Sequence, residues 1–158
     1  MSDFTVFDVV YPPEAKQRVI VNTDAKNEAD DQYAIVHAVL TPSFELHGII
    51  PAHFGTRKSA TSMQDSHDET MLLLRLMGLE KEVRVEDGAP HALPDESTPV
   101  DSPGARLIIE EAMKDDERPL HVAFYGPLTD MASALFIHED FFAKLAQFIR
   151  RGSRDLNR

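Results

Sequence analysis

Three aspartates crowd one short stretch of the chain, "VIVNTDAKNEADDQYAIVHAVL" (residues 19–40): Asp24, then the adjacent Asp30 and Asp31. Carboxylates held close together repel unless a positive group lies between them. A hard divalent cation is one such group, since it binds several oxygen ligands, for calcium at roughly 2.3–2.6 Å. Asp24 and Asp31 could supply those oxygens and leave Asp30 to contact a substrate, because adjacent residues at a helix start point in different directions. Any of the three could take a proton from an activated water within reach. The alternative is structural. An aspartate at a helix N-terminus caps free N–H groups and complements the dipole, a contribution of about 0.5–2 kcal/mol. Capping accounts for one of the adjacent pair and leaves Asp24 and the nearby Glu28 unexplained.

Other polar groups are less specific. His53, in "PAHFG", could contact substrate or metal, and could equally be a structural loop histidine. "MQDSHDE" (residues 63–69) clusters Asp65, His67, Asp68 and Glu69. On a helix, Asp65 shares a face with Asp68 and Glu69 while His67 points elsewhere, so a solvated first turn is the expectation. The chain has no cysteine, hence no thiolate ligand or thiol nucleophile. It also lacks a phosphate-binding glycine motif and a Gly-x-Ser-x-Gly elbow.

The elements that must position these groups can be read from the pattern. Val19–Asn22 is a β-branched, continuously apolar run, which predicts a strand buried on both faces. Asp30 to Leu40 predicts a helix with Ala34, Ile35, Ala38 and Val39 on its apolar stripe, stopped by Thr41-Pro42. "FELHGII" (Phe44–Ile50) predicts a second strand, closing a β-α-β unit. Ser62–Met77 predicts a helix burying Leu72, Leu73, Leu76 and Met77, capped by Gly78. Glu82–Pro90 reads as a short strand and turn, and the proline-rich segment that follows as a loop. Ala105–Met113 predicts a helix, Leu120–Gly126 a third strand, and Pro127 the approach to a last helix. The basic end, residues 150–158, reads as a frayed tail. The alternation predicts an α/β fold with a mostly parallel, Rossmann-like sheet in one domain over 1–158. In such sheets ligands bind beyond the C-terminal ends of the strands, where Asp24, Asp30, Asp31 and His53 all fall.

Length and charge narrow the classes. At 158 residues the chain can bury a real core. Its net charge of −11 argues against a nucleic-acid partner and an anionic membrane surface. No apolar run approaches the roughly 20 residues of a membrane span. The first residues carry no secretory pattern, so a cytoplasmic protein is expected.

The stretch "VNTDAKNEADDQYAIVHAVL" resembles the N-terminal signature of the nucleoside hydrolases of the inosine–uridine type. "FELHGII" fits that family's second strand. "GARLIIEEAMKDDERPLHVAFYGPLTDMASAL" (residues 104–135) resembles its later helix, strand and Gly-Pro-Leu-Thr helix start. The resemblance implies a calcium-dependent hydrolase that cleaves the N-glycosidic bond of ribonucleosides or related ribosyl compounds. It implies that Asp24 and Asp31 bind calcium with the main-chain carbonyl of Tyr125. It further implies that Asp24 accepts the proton of the attacking water and that Asp30 orients the ribose. The ribose 2′- and 3′-hydroxyls would complete the calcium shell.

The chain departs from that pattern. Asn22 stands where the motif opens with aspartate, and the loop Ala25–Ala29 is longer and lacks the usual glycine. The family's C-terminal half supplies a further aspartate ligand and, in many members, a histidine. After Leu135 the chain offers only Asp140 and Asp155, neither in a matching motif. The alternative expectation is therefore a non-catalytic metal- or nucleoside-binding module, or a truncated hydrolase fragment that needs a second chain. An open sheet edge would favour association, including a homo-oligomer.

Overall fold

A computed structural model describes residues 10–141. The basic tail at 150–158 and Asp155 lie outside the described residues. Three parallel strands form one sheet in the order β2-β1-β3: β1 Gln17–Thr23, β2 Phe44–Pro51 and β3 Leu120–Phe124. Between them run α1 Asp30–Leu40, α2 Ser62–Met77 and α3 Pro103–Met113, and α4 Thr129–Ile137 follows β3.

The continuous apolar run of β1 has the reason expected of it. Val19 and Val21 face one way and pack with Ile35 and Ala38 of α1, Leu74 of α2 and Ile49. Ile20 faces the other way, against Ala105 and Ile108 of α3, Ala134 of α4 and Ile50. The central strand thus lies between two helical layers and has no solvent face on which polar alternation could develop.

α2 buries a face rotated from the expected one: of the predicted residues Leu73 packs half-buried against the core, beside the fully buried Leu74. The fully packed positions are Ser62, Ser66, Thr70 and Leu74, whereas Leu72 and Leu76 are 43% and 75% exposed. Ser66 donates to the Ser62 carbonyl (3.1 Å) and Thr70 to the Ser66 carbonyl (2.8 Å). These hydroxyls satisfy themselves within the helix, so small polar residues can occupy a close-packed seam. The Glu82–Pro90 strand is likewise reduced, to an isolated parallel bridge between Val85 and Ile49. Charged Arg84 pairs outward with Glu86 and Glu110, and after Gly88 donates to the Pro51 carbonyl (2.9 Å) the chain turns under the sheet's rim. Gly78 ends α2 in the left-handed conformation at φ 75°, with Leu79 N donating to the Leu74 carbonyl (2.8 Å).

At the opposite end of the sheet from the aspartates, Arg18 is buried and donates to the Glu111 carbonyl (2.6 Å) and to its carboxylate (3.3 Å). His47 sits where the β1–β2 register slips between Val19 and Ile20, and its Nδ1 lies 3.0 Å from the same carboxylate. Lys114 reaches the other carboxylate oxygen at 2.6 Å. This buried charge cluster ties α3 to the sheet and leaves the other end for chemistry.

Candidate functional site

The rim beyond the C-terminal ends of the strands is built around the last residues of β1. Side-chain alternation sends Asn22 toward α4 and Thr23 toward α1. Thr23 Oγ1 donates to Asp31 Oδ1 at 2.5 Å, which holds that carboxylate, buried, against the strand. Asp30, one residue earlier, is exposed. The adjacent aspartates therefore do occupy different environments. The residue preceding α1 is Ala29, which makes no side-chain cap. Asp30 and Asp31 can complement the helix dipole from the first turn, but side-chain capping is not the use to which Asp31 is put.

Asp24 follows β1 and is also buried. Asn27 N–H donates to its carbonyl at 2.8 Å, and Asn27 Nδ2 to its Oδ2 at 3.1 Å, folding the acidic loop back on itself. Burial, and then the neighbouring charge of Asp31, push the Asp24 carboxyl above its ordinary pKa. The β3–α4 turn closes over this group. Tyr125 N donates to the Asn22 carbonyl at 2.9 Å, with its side chain 49% exposed. A Cβ on Gly126 would lie 3.1 Å from Asp24 Cβ and 3.2 Å from its Cγ. An added methyl group there would press on Asp24. The fold thus brings Asp24, Asp31 and the Tyr125–Gly126 backbone to one place.

His53 lies at the same rim but is buried and engaged. Gly55 N–H donates to its Nδ1 (3.2 Å), so its Nε2 carries the hydrogen and donates to Thr129 Oγ1 (2.9 Å). Burial holds its pKa below the usual histidine value, against the charge of Asp130 and together with His91. Nδ1 thus holds the β2–α2 loop to itself, and Nε2 fastens it to α4.

Asp130 is a participant that the sequence did not single out. It is fully buried, and its Oδ1 accepts from Ala89 N–H (2.8 Å) and Ser102 Oγ (2.7 Å). Its Oδ2 accepts from Asn22 Nδ2 (3.0 Å). The available signal was Asn22 itself, a polar side chain in a strand buried on both faces, which must find a partner inside.

The "MQDSHDE" residues disperse rather than converge. Asp65 accepts from Ser59 Oγ, His67 Nδ1 pairs with Asp87 at 2.6 Å, Asp68 accepts from Gln64 (2.9 Å), and Glu69 pairs with Lys26 at 2.7 Å. His67 points away from the acidic face, as helical geometry requires. Among the described residues, no group of three or more His, Asp or Glu side chains is disposed to hold a metal ion. Asp24 and Asp31 are a pair, not a complete carboxylate cage. No helix among the described residues is long and apolar enough to cross a membrane.

No model of a known protein family matches the chain, and no curated protein matches it either. Among solved structures, a nucleoside hydrolase-related hypothetical protein from Saccharophagus degradans, associated with carbohydrate metabolism, shares its fold. The two align with a TM-score of 0.59 at 22% identity, over 85% of this chain and 37% of that one. The fold is therefore nucleoside hydrolase-like, α/β with a parallel sheet between helices, and the chain spans little more than a third of that neighbour's length.

Proposed function

We propose that the rim is the N-terminal part of a calcium-dependent site for hydrolysing the N-glycosidic bond of ribonucleosides or related ribosyl compounds. The observation that carries the reading is the burial of Asp24 and Asp31 side by side, with Asp31 raising the pKa of Asp24. Two like charges withdrawn from water are costly unless a cation joins them. The donors suit calcium in kind: Asp24 and Asp31 carboxylates and the Tyr125 carbonyl are all oxygen, and no sulfur or free imidazole accompanies them. Calcium bound there would supply an anchor for the ribose hydroxyls and a positive charge beside the attacking water.

The chain's own residues would do the rest. Asp31, gripped by Thr23, has a fixed direction before any ligand arrives, and that pre-organisation lowers the cost of binding. Asp30, exposed at the mouth, would accept hydrogen bonds from the ribose. Asp24 would take the proton of the water that adds to the anomeric carbon. The bond electrons leave with the base. His53, locked to Thr129, would shape the sugar side of the pocket rather than exchange protons.

A second reading is favoured by the carboxylate set, a pair that no third His, Asp or Glu completes among the described residues. On it, the chain binds metal or nucleoside without turnover, or forms a site that a second chain completes. An assay of ribonucleoside cleavage with calcium restored after chelation separates the two. The hydrolase reading expects turnover that Asp30→Asn removes while calcium still binds. Calcium binding with no turnover in the parent protein favours the binding module.

A further inference from the structure

The β2–α2 loop brings a cation to the acidic rim. Lys58 Nζ donates to Asn27 Oδ1 at 2.6 Å and to the Asn27 carbonyl at 3.2 Å. Asn27 faces the other way with its amide nitrogen, which donates to Asp24 Oδ2 at 3.1 Å. One orientation of the amide serves both neighbours, because an ammonium only donates and a carboxylate only accepts. The three side chains form a directed chain, Lys58 to Asn27 to Asp24, that spans the two loops of the rim. Lys58 also lies 3.9 Å from Glu28, both largely exposed, a pairing of little energetic weight.

We propose that Lys58, acting through Asn27, is a positioning residue for the Asp24 carboxylate of the candidate cation site. The inference rests on the reading of Asp24 as a cation ligand. Asn27 donates to Oδ2 and Gly126 backs the Cβ and Cγ, which restrains the direction of the carboxylate. Lys58 in turn keeps the Asn27 amide from rotating and pins the backbone of a loop that has no glycine turn to define its shape. Its positive charge stays one amide away from the carboxylate, so it steadies the site without neutralising it. Partners at this remove commonly alter metal affinity about 10–100-fold.

The test is calorimetric calcium binding to the chelator-treated chain and to Asn27→Ala, Lys58→Met, Lys58→Arg and the Asn27→Ala/Lys58→Met double variant, each checked for folding by circular dichroism. Asn27→Ala is expected to raise the calcium Kd by about 10-fold or more. Lys58→Met raises it by a smaller factor, Lys58→Arg recovers part of that loss, and the double variant binds no more weakly than Asn27→Ala alone. That non-additivity marks two residues acting as one unit. The inference is overturned if Lys58→Met leaves affinity unchanged, if it tightens binding by removing a repelling charge, or if the two losses simply multiply. Absence of calcium binding in the parent protein would instead sink the cation reading. The positioning chain is then judged by proton exchange of the Asn27 side-chain amide, measured by NMR. Faster exchange in Lys58→Met supports it, and unchanged exchange overturns it.

Discussion

Asn22 donates its side-chain amide to the Asp130 carboxylate across 3.0 Å, both residues being fully buried. The pair joins the centre of the sheet to the first turn of α4. It also gives a physical reason for asparagine rather than aspartate at this position. An aspartate at 22 would face Asp130 as a second buried carboxylate.

Asn22→Asp is therefore expected to destabilise the fold by about 3 kcal/mol or more, the scale of an unpaired buried charge. Asn22→Leu should cost less, about 1–3 kcal/mol, because it removes one donor and leaves Asp130 with Ala89 N–H and Ser102 Oγ. Urea unfolding of the two variants checks the order. Equal losses would show that charge repulsion is not the reason for asparagine.

Gly126→Ala is expected to disturb Asp24 more than it disturbs the fold. The added Cβ would lie 3.2 Å from the Asp24 backbone nitrogen as well as near its side chain, and a strand-end backbone cannot yield as a flexible tip can. A stability loss of about 1–3 kcal/mol should accompany a clear fall in calcium affinity. Unfolding and calorimetry on one sample measure both.

Arg18→Met leaves Glu111 buried with only His47 and Lys114 beside it. The expected loss is about 3 kcal/mol, at the low end for a broken buried pair because those partners remain. Arg18→Met/Glu111→Leu should recover much of it. A double variant as unstable as the sum of the singles would contradict the pairing.

Asp95 gives a pH signature away from the rim. Its carboxylate accepts from the N–H and hydroxyl groups of Ser97 and Thr98, each at 2.8 Å. These hold its pKa down at about 2, the Ser97 N–H contributing most. A folded pKa below the unfolded value of about 3.9 means that the turn's contribution is complete above that value and is lost as pH falls through about 2. Carboxyl NMR should show Asp95 titrating well below an ordinary aspartate, and a midpoint near the ordinary value would refute the turn.

What the sequence made legible was local. α1 begins at Asp30 and ends at Leu40 as its period and the Thr41-Pro42 stop require, and β1 is buried on both faces as its unbroken apolar run implies. The seam of α2 was not legible, because serine and threonine that bond within their own helix look like surface residues in a hydropathy pattern. At Glu82–Pro90 the alternation yields only the bridge at Val85, because alternation says nothing about where a chain leaves a sheet edge. The links that assemble the rim join distant positions: Asn22 to Asp130, Lys58 to Asn27, His53 to Thr129. No local period encodes them. The placing of Asp24 after a strand and of Asp31 at a helix start was legible, but not their burial or the approach of Gly126 to Asp24.

Whether Asp24 and Asp31 form a cation site is tested most directly by calorimetry with calcium, on the chelator-treated chain with magnesium as control. Selective calcium binding near one site per chain is expected, abolished by Asp31→Ala in a protein that remains folded. No binding by the folded parent chain, or an unchanged calcium affinity in Asp31→Ala, would contradict it.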